Sequence, residues 1–193
     1  MHIEKNVCNS LLGTLLGDPH KSKDTDNARR DLEKLGIRSE LHLYEDDNKL
    51  MKLADEYNFS EVNQRKFYRF IRSIKFLDSF ASNLLKNIAP NDSRIVGLKS
   101  HDCHVIMQRL LPVGCRSLVN KTISSTIIEL CTFFKQLCVR IINVTDMVEA
   151  QDQSVIILCK LERIFPSAFF DIMIHLVLHL PEKAILGRPI YMR

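Results

Sequence analysis

The chain has 193 residues, of which 46% are hydrophobic and 26% charged, with a net charge of +4. That is enough apolar material for one folded core and too much for a chain disordered by composition. The mild positive charge permits a polyanion partner, falls short of the usual nucleic-acid module, and no apolar run reaches the length of a membrane span.

The first segment, "MHIEKNVCNSLLGTLL", is no secretory leader, because Glu4 and Asn6 interrupt the basic and apolar runs a leader needs. Ile3, Val7, Leu11, Leu12 and Leu15 instead form a helical stripe, so a helix is expected from about Ile3 to Leu16 with Gly17 as its stop. Asp24 or Thr25 then caps a second helix carrying Ala28, Leu32 and Leu35 on one face, and Gly36 ends it. Residues 44–58 read as a polar connector; "LHLY" (41–44) is a weak strand signal.

A third helix is expected from Ser60 to about Leu77. Phe67, Phe70, Ile71, Ile74 and Leu77 mark its apolar side, and Arg65, Lys66, Arg69, Arg72 and Lys75 fill much of the rest. Residues 86–100 read as loop, with a turn at Pro90-Asn91-Asp92 and a hinge at Gly97. A fourth helix covers about Asp102 to Leu111 and stops before Pro112. Asn120 or Thr122 opens a fifth, striped by Ile123, Ile127, Leu130, Cys131, Phe134, Leu137, Cys138 and Ile141. Val155 to Phe165 gives a sixth. Ser167 caps a seventh, Ala168 to Leu180, apolar nearly all round and therefore expected at the centre, with Pro181 as its end. The fold class is thus mainly α, an irregular assembly of about six or seven helices.

Six cysteines at 8, 103, 115, 131, 138 and 159 form no CxxC pair and read as reduced, mostly buried thiols of a nuclear or cytoplasmic protein. His101, Cys103 and His104 invite a metal, but their spacing fits no standard zinc pattern, and a helix start with exposed histidines accounts for them. Asp171, His175 and His179 stand at i, i+4 and i+8, a face able to hold a metal or simply the polar stripe of a buried helix. The residues themselves therefore assign no metal. The basic side of the third helix offers Arg65, Lys66, Arg69 and Arg72 to phosphates, without an element that would read bases, or is a solvated face. Glu129 lies opposite the fifth helix's stripe, near Ser125, Thr132, Gln136 and Arg140; it is a surface acid beside an arginine or a metal-binding carboxylate. No phosphate loop, nucleophile elbow or dinucleotide fingerprint is present.

Several blocks, "MHIEKNVCNSLLGTLL", "GIRSELHL", "LKSHDCHVIMQRLLPVGCR", "TIIELCTFFKQLC" and "ILCKLERIFPSAFFDIMIHLVLHLP", together resemble the C-terminal half of plant CACTA (En/Spm-type) transposases. The resemblance covers nearly the whole chain in the same order. It implies that residues 1–100 correspond to the end of the transposase core and its insertion, and 98–193 to the start of the uncharacterised domain that follows. It further implies an RNase H-like sheet and two of three catalytic acids upstream of Met1. His2 would be the histidine of the family's acid-x-x-His pattern, and Glu129 the third acid. The implied chemistry is DNA cleavage and joining by paired divalent ions such as magnesium. This chain alone is then expected to be a catalytically inactive remnant without cofactor, or a retained interaction module. Its partners would be DNA, held weakly and without sequence preference, or the upstream transposase region or another protein, and no membrane. Ile3, Val7 and Leu11 would be left exposed by the missing partner.

Overall fold

The computed structural model describes residues 2–46, 49–52, 55–75, 84–89, 94–139 and 141–187. The expected Leu77 end of the third helix, the turn at 90–92, Arg140 beside Glu129 and the final residues 188–193 lie outside them.

The described chain is mainly helical, as its periodicity requires. Helix α1 (His2–Leu15) ends as Gly17 takes a left-handed φ of 62°. Helix α2 (Asp26–Lys34) is capped by Thr25, whose hydroxyl accepts from the Ala28 amide at 3.2 Å. Asp24, the other expected cap, is occupied by Arg29. Strands β1 (Leu43–Asp46) and β2 (Lys49–Lys52) pair antiparallel, with Tyr44 opposite Met51. This hairpin stands where a polar connector was expected, because half-exposed strands need little apolar sequence. Ser60 caps α3 (Glu61–Ser73), which buries Phe67, Tyr68 and Ile71.

Beyond α3, neither proline expected to stop a helix does so; each stands in the first turn of one. Helix α4 (Ser100–Val105) continues through a wide π turn (Ile106–Leu110) into α5 (Leu111–Gly114). Pro112 sits in the first turn of α5, where a missing N–H costs nothing. Asn120 caps α6 (Lys121–Leu137), which stops before the expected Ile141; that side chain is 87% exposed. Helix α7 (Val144–Glu162) starts eleven residues ahead of the expected Val155, capped by Asn143. The predicted seventh helix is divided: a 3-10 turn at Ser167–Phe169, α8 (Ile172–His175), a second 3-10 turn at Leu176–His179, and α9 (Leu180–Leu186), which Pro181 begins rather than ends.

The central element is α1, not the 168–180 segment. Val7, Cys8, Leu11 and Leu15 have no exposed surface and Leu12 has 4%. The expectation of an exposed N-terminal stripe is therefore overturned: α4 and α8 pack against α1 and supply the cover. Each of its large aliphatic side chains contributes about 1.5–3 kcal/mol by burial. Helix α6 joins the core through its contacts with α5, α7 and α9. The end of α1 is clamped by chain that follows it. The Phe59 backbone amide donates to the Leu15 carbonyl at 2.7 Å, and the Gln64 side-chain Nε2 donates to the Leu16 and Phe59 carbonyls at 3.2 and 3.1 Å. Gly13 lies so close to the returning loop that an added Cβ would meet Lys21 at 2.6–2.7 Å.

Candidate functional site

The residues singled out in the sequence fall at separate places. On α3, Arg65, Lys66, Arg69 and Arg72 are all exposed, as is Lys75 just beyond its end, with the aromatic side turned inward. Arg65 reaches Glu61 at 3.0 Å one turn away, and Arg72 donates to the Ala89 carbonyl at 3.1 Å. The face is a cationic surface with no stacking aromatics on it.

Glu129 stands on α6, partly exposed. Lys160 of α7 donates to both its carboxylate oxygens at 2.8 and 2.7 Å. Its cationic partner is thus a lysine from the neighbouring helix. His2 is exposed at the start of α1.

Asp171 does not join His175 and His179 as one helical face. It precedes α8 as the capping residue, accepting from the Met173 and Ile174 amides at 2.9 and 3.2 Å, and it binds Lys23 at 2.8 Å. Burial would raise the Asp171 carboxyl, but Lys23 and the two amides outweigh it and hold it below the ordinary range. The two histidines are exposed, their rings 5.4 Å apart edge to face. The i, i+4 arithmetic fails because the helix begins only after Asp171.

In the His101-Cys103-His104 stretch, His101 is exposed and Cys103 buried. Asp102, in the first turn of α4, accepts from the Lys99 amide at 2.8 Å and the Asn87 side chain at 3.2 Å. His104 turns to a partner 100 residues away. Its Nδ1 lies 3.1 Å from both oxygens of Glu4 on α1, a carboxylate only 4% exposed. Cys138, the residue that closes α6, brings its sulfur to the same point. One ligand atom each from Glu4, His104 and Cys138 lies within 4.8 Å of the others, the one such His/Cys/Asp/Glu group of three among the described residues. Hydrogen bonding to Cys138 and then to Glu4 outweighs burial and lifts His104 to about 9. Gln108, one turn along from His104, donates to Glu4 Oε1 at 3.1 Å and to the Phe134 carbonyl at 3.4 Å. No spacing in the sequence marks this group, because its members come from three separate elements and the chain itself sets His104 beside His101 and Cys103.

A second buried polar group is structural in character. Arg29, fully buried, donates to Asp24 at 2.7 and 2.8 Å and also binds Asp55. Burial would raise Asp24, yet the hydrogen bonds and charge of Arg29 hold it below the ordinary carboxylate range. Asp55, the second acid on that guanidinium, is pushed up by burial. The cysteines are all free thiols. Burial raises Cys8 and Cys131, and pushes Cys115 up to about 11, which leaves them poor nucleophiles. No helix among the described residues is long and apolar enough to cross a membrane.

Residues 137–193 match a family described as a domain of unknown function, DUF4218. No curated protein and no solved structure matches the chain. The matched stretch runs from the end of α6 through α9, and so includes Cys138 and the Asp171, His175 and His179 positions.

Proposed function

We propose that the chain is a transposon-derived protein, of the lineage of plant CACTA (En/Spm-type) transposases, that cuts no DNA by itself. The matched domain is one found in plant transposase-related proteins, which supports the transposon origin. The observation that supports this reading is that, among the described residues, Glu129 stands in no group of three potential metal ligands and meets a lysine instead. A two-metal centre needs carboxylates converging from different elements on ions about 4 Å apart. Here the carboxylate that resembles the family's third acid has both oxygens on the Lys160 ammonium. Nor do Glu129 and His2 belong to the three-ligand group found among the described residues. Incubated with supercoiled and linear DNA and magnesium or manganese, the chain should produce neither nicks nor joined products. Cleavage by the native chain that Glu129→Ala abolishes would overturn the proposal.

The exposed basic face of α3 favours a second role, a phosphate contact without sequence preference. Binding should be weak and fall steeply with salt. Changing Arg65, Lys66 and Arg69 together to Ala removes up to three phosphate contacts. That should flatten the slope of log affinity against log salt by about 3 in fluorescence anisotropy titrations. Preference for a transposon terminal repeat over random DNA at physiological salt would contradict this contact.

A further inference from the structure

We propose that Glu4, His104 and Cys138 form a zinc-binding site that ties the start of α1 to α4 and to the end of α6. The site lies apart from the α3 face and from Glu129, and the inference is independent of any contact with DNA.

The donor set comes first. A carboxylate oxygen, an imidazole nitrogen and a thiolate together suit a borderline-soft ion, and zinc takes all three. With zinc bonds of about 2.0–2.1 Å to oxygen and nitrogen, two tetrahedral ligands of that kind stand about 3.3 Å apart. The separation here is 3.1 Å from His104 Nδ1 to each Glu4 oxygen, and the three ligand atoms fall within 4.8 Å.

The hydrogen-bond arithmetic points the same way. The Gln108 amide nitrogen has two hydrogens, and Glu4 Oε1 and the Phe134 carbonyl accept them. That nitrogen also lies 3.0 Å from His104 Nδ1, with no hydrogen left for the ring. In the metal-free chain a proton on Nδ1 faces Glu4; a zinc ion held by Nδ1, a Glu4 oxygen and the Cys138 sulfur takes the place of that proton and leaves both Gln108 bonds intact. Gln108 then serves as the outer partner that fixes the Glu4 carboxylate, a role metal sites regularly fill.

Access and rigidity are both provided. Glu4 is buried on the central helix, while the His104 side chain is 26% exposed and Cys138 is half-buried. An ion therefore enters from the solvent side, where a water completes four-coordination. The ligands come from α1, α4 and the end of α6, so binding is a stability term shared by three elements that the chain brings together from 134 positions apart.

The test uses the full chain, reduced and stripped of metal, with zinc as the probe. We expect one zinc per chain by elemental analysis after dialysis, and a thermal midpoint that rises with zinc concentration as linkage requires. Cys138→Ser and His104→Gln should lose the bound zinc and the midpoint shift. Gln108→Ala should keep the stoichiometry with affinity lower by about ten- to a hundredfold. Cobalt in place of zinc should give a thiolate charge-transfer band that Cys138→Ser removes and the exposed-cysteine control Cys159→Ser retains. A folded native chain that takes up no zinc overturns the proposal. So does zinc bound as tightly by the Cys138 and His104 variants, which marks adventitious binding. If a variant fails to fold, the native stoichiometry and the Cys159→Ser cobalt spectrum still decide, since the absence of either refutes the site.

Discussion

Replacing Arg29 by Met removes a buried charge while keeping most of its volume. The guanidinium is fully buried, and the side chains of Asp24 and Asp55 are only 4% and 7% exposed. Without it, two carboxylates share a dry site with no cation. Lys52 gives little relief, since its ammonium binds the Asp24 carbonyl at 2.8 Å and Asp26 at 2.9 Å. Removing one side of a buried pair costs about 3–5 kcal/mol, because the residual charge is stranded. For a chain of this size that lowers the midpoint by roughly 10 °C. The pH dependence carries the sharper signature. In the native chain the Asp24 carboxyl is held low, so its stabilisation is present above the unfolded pKa and is lost as pH falls through the lower folded value. Asp55, raised by burial, works weakly in the opposite sense. In Arg29→Met both carboxyls rise above their unfolded values, so the variant should lose stability as pH climbs from about 4 to 7, where the native chain does not. Urea unfolding followed by circular dichroism at several pH values reads both effects. A loss under about 1 kcal/mol with an unchanged pH slope would refute the reasoning, since a buried pair of this kind cannot be so cheap.

Gly13→Ala should destabilise by about 1–3 kcal/mol, because its Cβ would run into Lys21 backbone atoms at 2.7 Å; a midpoint equal to native would show that the loop yields freely. Asp171→Ala removes a helix cap and the Lys23 partner together, and calorimetry should register a loss of about 1–2 kcal/mol that fades in acid as the native carboxyl protonates. Lys160→Ala, by contrast, opens a pair whose side chains are 45% and 39% exposed, and denaturant unfolding should shift by less than about 1 kcal/mol, less again at high salt.

The helical class was legible because burying one face of a helix leaves a 3.6-residue rhythm, plain in Val7, Leu11 and Leu15. What covers that face was not, since the cover comes from α4 and α8, remote in sequence. Pro112 and Pro181 were misread for a local reason: a proline stops a helix from within but opens one from its first turn, and the rhythm alone does not say which side it is on. The first half of α7 was lost because only Met147, Ala150 and Ser154 are buried there, too few to mark a stripe in "VTDMVEAQDQS". Similarly, β1 and β2 carry charged residues at half of their positions, so no clean alternation survives to announce them. Thr25, Asn120 and Asn143 behaved as cap chemistry demands, although Asn143 was not singled out. Glu4 was invisible as a site residue: in sequence it is one acid in a helix start, and only the fold reveals a carboxylate facing a histidine and a thiol.

Placing the first helix at the centre has a consequence for how the protein is made. Helix α1 leaves the ribosome well before the elements that cover it, and the last of these, α8, begins only at Ile172. At about 5–20 residues per second, the 157 residues from position 16 to 172 take roughly 10–30 s to synthesise. For that interval the nascent chain carries an uncovered stripe of Val7, Leu11 and Leu15, whose burial awaits the arrival of its latest elements. Such a chain gains little from folding as it emerges and depends on being shielded until release, so the abundance of soluble protein in a cell should respond to chaperone supply more steeply than its equilibrium stability alone would dictate.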